Sequence, residues 1–139
     1  MNYDSLSSIM ESDISDFVHK IGREAPELVE IWLIGSRAND SASVESDWDF
    51  IAMGSTNTLA YLQKSVHLHR ADVDFLVVIN GDDFEVAWGD RPKSGSLNEW
   101  EWTKKSNIDA EYMQSKMLIH ADWNECKINK VRAVRVWSL

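Results

Sequence analysis

The fold is decided by the stretch Ile31-Trp32-Leu33-Ile34-Gly35-Ser36-Arg37-Ala38, residues 31–38, and by Ser46-Asp47-Trp48-Asp49-Phe50, residues 46–50. Positions 28–34 are apolar except for Glu30 and partly β-branched, which predicts a strand that stops at Gly35-Ser36. A glycine and a serine directly after a strand offer backbone N–H groups and a hydroxyl, and glycine lets a phosphate approach the main chain closely. This stretch therefore predicts a strand that leads into an anion-binding turn.

Two carboxylates stand at the start of the next apolar segment. Residues 48–53 are predicted to form a second strand, and Asp47 and Asp49 are two positions apart at its beginning. Alternation along a strand places both carboxylates on one face, about 7 Å apart along the chain. Two such groups repel each other unless a cation lies between them, and hard oxygen ligands favour Mg²⁺ or Mn²⁺. The pair is therefore a candidate metal site.

A third acid lies within the predicted strand 73–79. An ionised carboxylate inside a β-branched run is costly to bury without a partner, and a metal facing Asp74 would supply one. Alternation puts Asp72 on the same face, so periodicity alone does not choose between the two acids. Because Asp72 lies next to the turn at His69-Arg70, where Arg70 could neutralise it, we expect Asp74 to be the third carboxylate.

Taken together, these residues resemble the DNA polymerase beta-like nucleotidyltransferase superfamily, most closely its minimal nucleotidyltransferases. The resemblance rests on a strand ending in Gly35-Ser36, ten intervening residues, the Asp47-x-Asp49 pair and the later Asp74, and it covers about residues 28–79. It implies an α/β (α+β) fold in which helices pack on a small mixed β-sheet. Many members carry a glycine after Arg-Ala, where this chain has Asn39.

The resemblance also implies roles for individual residues. Gly35 and Ser36 would contact a nucleoside triphosphate, Asp47 and Asp49 would hold two divalent metals, and Asp74 would help to activate the attacking hydroxyl. Arg37 either contacts a phosphate or pairs with Asp40 or Glu45 at the surface. The candidate nucleotide-binding residues are Gly35, Ser36, Arg37 and Ser46, and the candidate catalytic and metal-binding residues are Asp47, Asp49 and Asp74.

Hydrophobic periodicity predicts the other elements. A first helix, for which Asp4 or Ser8 is the candidate cap, carries an apolar stripe and ends at Gly22, and a second begins near Ser55 or Thr56. The two stripes are Leu6, Met10, Ile14, Phe17 and Ile21, and Leu59, Leu62 and Val66. Beyond residue 84 the pattern predicts a short strand at 84–88, a loop at 89–95, a helix at 107–121, and an edge strand or helix end at 131–137. The role of residues 84–139 stays open.

Length and composition limit the classes of protein. A chain of 139 residues with 44% hydrophobic residues suits one domain, 1–139, with a catalytic core at 28–79. The sequence has no apolar run long enough for a membrane span, its start lacks signal-peptide features, and it has one cysteine, so we expect a cytoplasmic protein. The net charge of −9 makes long nucleic acid an unlikely partner.

Three further motifs are weaker candidates. His67 and His69 lack a second nearby pair of metal ligands, and Cys126 lacks the context of a catalytic thiol. Trp100 and Trp102 could form a base-stacking ledge, although packing in a core or an interface is favoured.

The expected activity is Mg²⁺-dependent (or Mn²⁺-dependent) transfer of a nucleoside monophosphate from a nucleoside triphosphate to a hydroxyl of a small-molecule or protein acceptor. The alternative is a catalytically silent nucleotide-binding or regulatory module, acting with a partner protein. A third possibility is an α/β protein whose acids merely face solvent. The resemblance also implies a homodimer or a complex with a partner protein, as is common for members without a sizeable second domain, and seven tryptophans leave room for an apolar interface.

Overall fold

The computed structural model describes residues 10–39, 46–89, 94–115 and 128–139. Its helices are α1 (Ser12–Glu24) and α2 (Thr56–Lys64), and short 3₁₀ turns cover Ser36–Ala38 and Val66–Leu68. Its strands are β1 (Glu30–Ile34), β2 (Trp48–Met53), β3 (Val73–Val78), β4 (Asp83–Val86), β5 (Ser94–Ser96), β6 (Thr103–Lys104), β7 (Asp109–Ser115) and β8 (Ile128–Ser138). The predicted α+β class, a mixed sheet with helices packed on it, is confirmed.

The strands form one mixed sheet in the order β5-β4-β3-β2-β1-β8-β7-β6. Neighbouring strands are antiparallel except for β2 and β3, which are parallel. A parallel pair needs a crossover connection, and α2 lies in the segment that supplies it. The crossover brings the beginnings of β2 and β3, where the sequence carries its acids, to the same end of the sheet.

Helix α1 forms because its apolar positions recur every three or four residues. Ile14, Phe17 and Ile21 of the predicted stripe are buried, and so is Val18, which the stripe did not include. The predicted end at Gly22 is wrong, since the helix continues to Glu24. Gly22 serves packing instead, because a Cβ there would collide with the indole of Trp137 on β8. The predicted caps at Asp4 and Ser8 lie outside the described residues.

Helix α2 starts at the predicted serine. The Ser55 hydroxyl accepts hydrogen bonds from the backbone N–H groups of Asn57 and Thr58, and Thr58 Oγ1 accepts one from the Ser55 N–H at 3.0 Å. Val66 does not extend the apolar stripe as predicted, because it falls in the following 3₁₀ turn with 72% of its surface exposed.

Each face of the sheet carries its own apolar cluster. On the helix side the largest buried sheet residues include Phe50 and Phe75, which pack around Phe17 of α1. On the opposite face, Trp32, Ile34, Ile51, Leu76, Phe84 and Tyr112 are buried, and Trp100 and Trp102 pack against them. The segment after β5 therefore covers the face that does not carry the helices.

Two predictions for the C-terminal part are wrong. Residues 109–115 of the predicted helix 107–121 form β7, which pairs with β8 along its whole length; residues 116–121 lie outside the described part. The segment 131–137 belongs to strand β8, so the strand alternative is confirmed, but its expected edge position is wrong because β8 lies between β1 and β7. Strand preference depends on the neighbours that a strand finds, so this pairing overrides the helical composition.

The described residues contain no helix that is long and apolar enough to cross a membrane.

Candidate functional site

A cavity of about 470 Å³ opens on the sheet face opposite the helices, at the end where β1 finishes and β2 and β3 begin. Its lining joins residues of the predicted core to residues of the C-terminal part. The lining residues are Ile34, Gly35, Asp49, Phe50, Asp74, Leu76, Phe84, Ser94, Glu99, Trp100, Glu101, Tyr112 and Met113.

Two of the three predicted carboxylates line this cavity side by side. Asp49 on β2 and Asp74 on β3 are direct register partners in the parallel pair, and both are partly buried. Adjacent strands lie about 4.8 Å apart, so residues in register on one face are close neighbours. The structure thus brings Asp49 and Asp74 together from positions 25 residues apart in the chain.

Gly35 lines the cavity next to Asp49. Its φ of 71° and ψ of −158° lie in a region that is essentially restricted to glycine. A Cβ at this position would also collide with Asp49 Oδ2. Glycine is therefore required at position 35 for two reasons: its backbone conformation, and the lack of room for a Cβ beside the Asp49 carboxylate.

Tyr112 on β7 completes the turn and was not predicted from the sequence. Its hydroxyl accepts a hydrogen bond from the Gly35 N–H at 2.9 Å. Burial raises the pKa of Tyr112, the Gly35 hydrogen bond lowers it, and the negative charge of Asp49 adds to the rise. The sequence signal for a strand at Tyr112 was the alternation of Ala110 and Tyr112, both buried, with Glu111 between them. The prediction of a helix at 107–121 did not take this alternation into account.

The other predicted site residues do not line the cavity. Ser36 begins the 3₁₀ turn, and Asp47 is exposed just before β2. Arg37 Nη2 donates to the Ser46 carbonyl at 2.8 Å, and its guanidinium lies 4.2 Å from the centre of the Trp48 ring. Arg37 thus connects the 3₁₀ turn to the chain just before Asp47. The alternative partners of Arg37, Asp40 and Glu45, lie outside the described residues.

Asp72 forms an ion pair with Arg70, the neighbouring cation that the sequence suggested for it. Arg70 donates to its carboxylate twice, at 2.9 and 2.8 Å, and also reaches Asp13 at 3.1 Å. The hydrogen bonds from Arg70 lower the pKa of Asp72. Asp72 is absent from the cavity lining, so the structure places Asp74 and not Asp72 beside Asp49.

Within the described part of the chain, the weaker candidates do not assemble into a second site. His67 and His69 are exposed, and the His69 ring stacks on Trp88 at 5.7 Å. Trp100 and Trp102 both stack on Tyr112, so their rings are used in packing, although Trp100 also lines the cavity. Cys126 lies outside the described residues.

The donor set of the cavity fits a hard divalent cation in part. Asp49 and Asp74 offer carboxylate oxygens, and Mg²⁺ is commonly held by one or two carboxylates together with water and phosphate oxygens. In the part of the chain that the structure describes, no group of three or more His, Cys, Asp or Glu side chains could hold a metal ion. Asp49 and Asp74, which are register partners, are the pair that could hold such an ion together with water or phosphate oxygens.

No protein-family model matches the chain, and no curated protein matches its sequence. Among solved structures, the chain is similar to a "putative nucleotidyltransferase" from Sulfolobus solfataricus, at 23% sequence identity and a TM-score of 0.40. The matched region covers 49% of this chain and 65% of that chain, which is less than two thirds of its length.

Proposed function

We propose that the protein catalyses metal-dependent transfer of a nucleoside monophosphate from a nucleoside triphosphate to a hydroxyl of a small-molecule or protein acceptor. One observation carries the proposal. Asp49 and Asp74 are register partners at the wall of a cavity of about 470 Å³, directly against the glycine turn that ends β1. Two adjacent carboxylates suit the binding of a divalent cation that in turn holds a phosphate group, although the Gly35 N–H, expected to contact the phosphate, donates to Tyr112 Oη instead.

The reaction requires one P–O bond to form and one to break. The acceptor oxygen would bond to the α-phosphorus, and the bond from that phosphorus to the leaving pyrophosphate would break. When bound, Mg²⁺ or Mn²⁺ would neutralise charge on the phosphate oxygens. Asp49 and Asp74 would hold the ion, and the Asp74 carboxylate would accept the proton of the acceptor hydroxyl.

The charge of the cavity supports an acceptor other than a long nucleic acid. Four carboxylates line it, those of Asp49, Asp74, Glu99 and Glu101, and no lysine or arginine is among its described lining residues. A long polyanionic acceptor, unlike a triphosphate whose charge a bound divalent ion would neutralise, would be repelled by such a wall.

The test is incubation of the protein with each of the four triphosphates and Mg²⁺, with candidate acceptors, followed by measurement of pyrophosphate release. Asp74→Asn should lower turnover by orders of magnitude while nucleotide affinity changes less, because the substitution removes charge with little change in shape. Asp72→Asn is the matched control, since Asp72 is paired with Arg70 outside the cavity, and its activity should stay near wild type. Inactivity of Asp72→Asn beside a fully active Asp74→Asn would refute this assignment.

The placement of Asp47 favours a second candidate, a catalytically silent module that binds a nucleotide. Asp47 is exposed and does not line the cavity, which leaves two of the three expected carboxylates together. Calorimetric titration separates the two proposals: metal-dependent triphosphate binding without pyrophosphate release, in every acceptor mixture, would support the silent module.

A further inference from the structure

We infer that β7 and β8 position the site by fixing the backbone of Gly35. Tyr112 of β7 accepts the Gly35 N–H, and Asn39, which is bound to β8, donates to the Gly35 carbonyl. This inference rests on the proposed function, because it assigns a role in placing the carboxylate of Asp49. It gives a function to the part of the chain beyond residue 84.

The first contact comes from β7. Tyr112 Oη accepts the Gly35 N–H at 2.9 Å, and the Tyr112 ring is held by stacking on Trp100 and Trp102, with ring centres 5.1 and 6.0 Å away. Only 4% of the Tyr112 surface is exposed. The hydroxyl is thus a fixed acceptor, and the N–H of Gly35 is committed to the protein itself.

The second contact comes from β8 through Asn39. Asn39 Nδ2 donates to the Gly35 carbonyl at 2.8 Å and to the Arg132 carbonyl at 3.0 Å, while Asn39 Oδ1 accepts the Arg132 N–H at 2.8 Å. The side-chain amide therefore joins the turn to the backbone of β8. An amide is suited to this task because it offers a donor and an acceptor at once.

These contacts matter to the site because Asp49 packs directly on Gly35. A Cβ at residue 35 would meet Asp49 Oδ2, so any shift of the turn changes the space available to the carboxylate. Removal of the Tyr112 hydroxyl would leave the Gly35 N–H without its acceptor, and the turn would move to recover a partner. A displacement of about 1 Å of a reacting group can lower a rate by about 100-fold.

The test compares Tyr112→Phe with Tyr61→Phe. Tyr112→Phe keeps the stacked ring and deletes the hydroxyl, so the variant should fold; Tyr61 is a partly buried tyrosine of α2 in the cluster on the helix side. In Tyr112→Phe, kcat for transfer should fall about 10- to 100-fold, with KM for the triphosphate changed by less than about threefold. Tyr61→Phe should match the wild type. A wild-type kcat in Tyr112→Phe would overturn the inference and leave the proposed function intact.

A second measurement separates this inference from the proposed function. Hydrogen exchange of the Gly35 amide, followed by NMR, should be at least about tenfold faster in Tyr112→Phe than in the wild type, and unchanged in Tyr61→Phe. If the wild type transfers no nucleotide, the proposed function fails, and the exchange rate still decides whether Tyr112 holds the turn. Unchanged exchange of Gly35 in Tyr112→Phe would overturn the positioning role.

Asn39→Asp tests the second contact. The substitution keeps the acceptor for the Arg132 N–H but replaces the Nδ2 donor by an oxygen that faces the carbonyls of Gly35 and Arg132. It should reproduce the loss in kcat without a comparable change in KM. A wild-type kcat in Asn39→Asp would show that Asn39 has no such role.

Discussion

Substitution of Gly35 by alanine tests whether the glycine turn and the Asp49 carboxylate depend on each other. At φ 71° and ψ −158°, alanine adopts a conformation that costs about 1–3 kcal/mol. The new methyl group also collides with Asp49 Oδ2, and forced overpacking of this kind costs a further 1–3 kcal/mol or so. The free energy of unfolding should therefore fall by about 2–6 kcal/mol, against a typical total of about 5–15 kcal/mol.

Gly81→Ala is the matched control. Gly81 has a φ of 84°, and apart from Gly81 and its two chain neighbours no atom of the described residues lies within 4 Å of the position that its Cβ would take. Alanine there should cost only the backbone term, about 1–2 kcal/mol. For a domain of this size each kcal/mol lowers Tm by about 3 °C, so the two variants should be distinguishable in thermal unfolding.

The assays are urea unfolding followed by circular dichroism and pyrophosphate release in the presence of Mg²⁺. Gly35→Ala should lose more stability than Gly81→Ala and should lose transfer activity, because the new methyl group displaces the Asp49 carboxylate from its position. Gly81→Ala should keep its activity. If Gly35→Ala proved as stable and as active as Gly81→Ala, the contact between Gly35 and Asp49 would contribute neither to stability nor to transfer activity.

Two further predictions concern pH. Arg70 lowers the pKa of Asp72, so this pair stabilises the fold at neutral pH and its contribution is lost as pH falls through the lowered pKa. Asp72→Asn should reduce the free energy of unfolding by at most about 1 kcal/mol at pH 7, since the pair is partly exposed, and urea unfolding should show no such difference in strong acid. Burial raises the pKa of Tyr112 above its ordinary value of 10.0, so its neutral form stabilises the fold at lower pH, and this contribution is lost as pH rises from about 10 through the raised pKa. Tyr112→Phe should show a weaker alkaline loss of stability; equal slopes for the two proteins would contradict the shift.

Local patterns predicted the core of the fold well. The strand Trp48–Met53 was predicted with its observed bounds, and β3 was predicted one residue too long, because short β-branched runs between turn residues have few alternatives. The cap of α2 at Ser55 was equally local, since the serine side chain bonds to N–H groups within three residues. Helix ends were less predictable, as Gly22 shows, because packing against Trp137 and not termination explains that glycine.

The C-terminal part was not predictable in the same way. The composition of β7 suits a helix, and its pairing with β8, and over two residues with β6, makes it a strand. A strand in the sheet obtains its hydrogen bonds from a distant segment, so its own residues carry little of the information that selects it.

The sequence by itself determined the chemistry of the candidate site: a glycine turn after a strand, followed by acids at the starts of two further strands. It also determined the α+β class, because local periodicity identified α1, α2 and the first three strands. Only the tertiary structure decided that Asp49 stands beside Asp74 while Asp47 lies exposed, and that Tyr112 holds Gly35 from 77 residues away. The physical reason is that register between strands and the partner of a turn's N–H depend on contacts between distant segments, which no local pattern of side chains encodes.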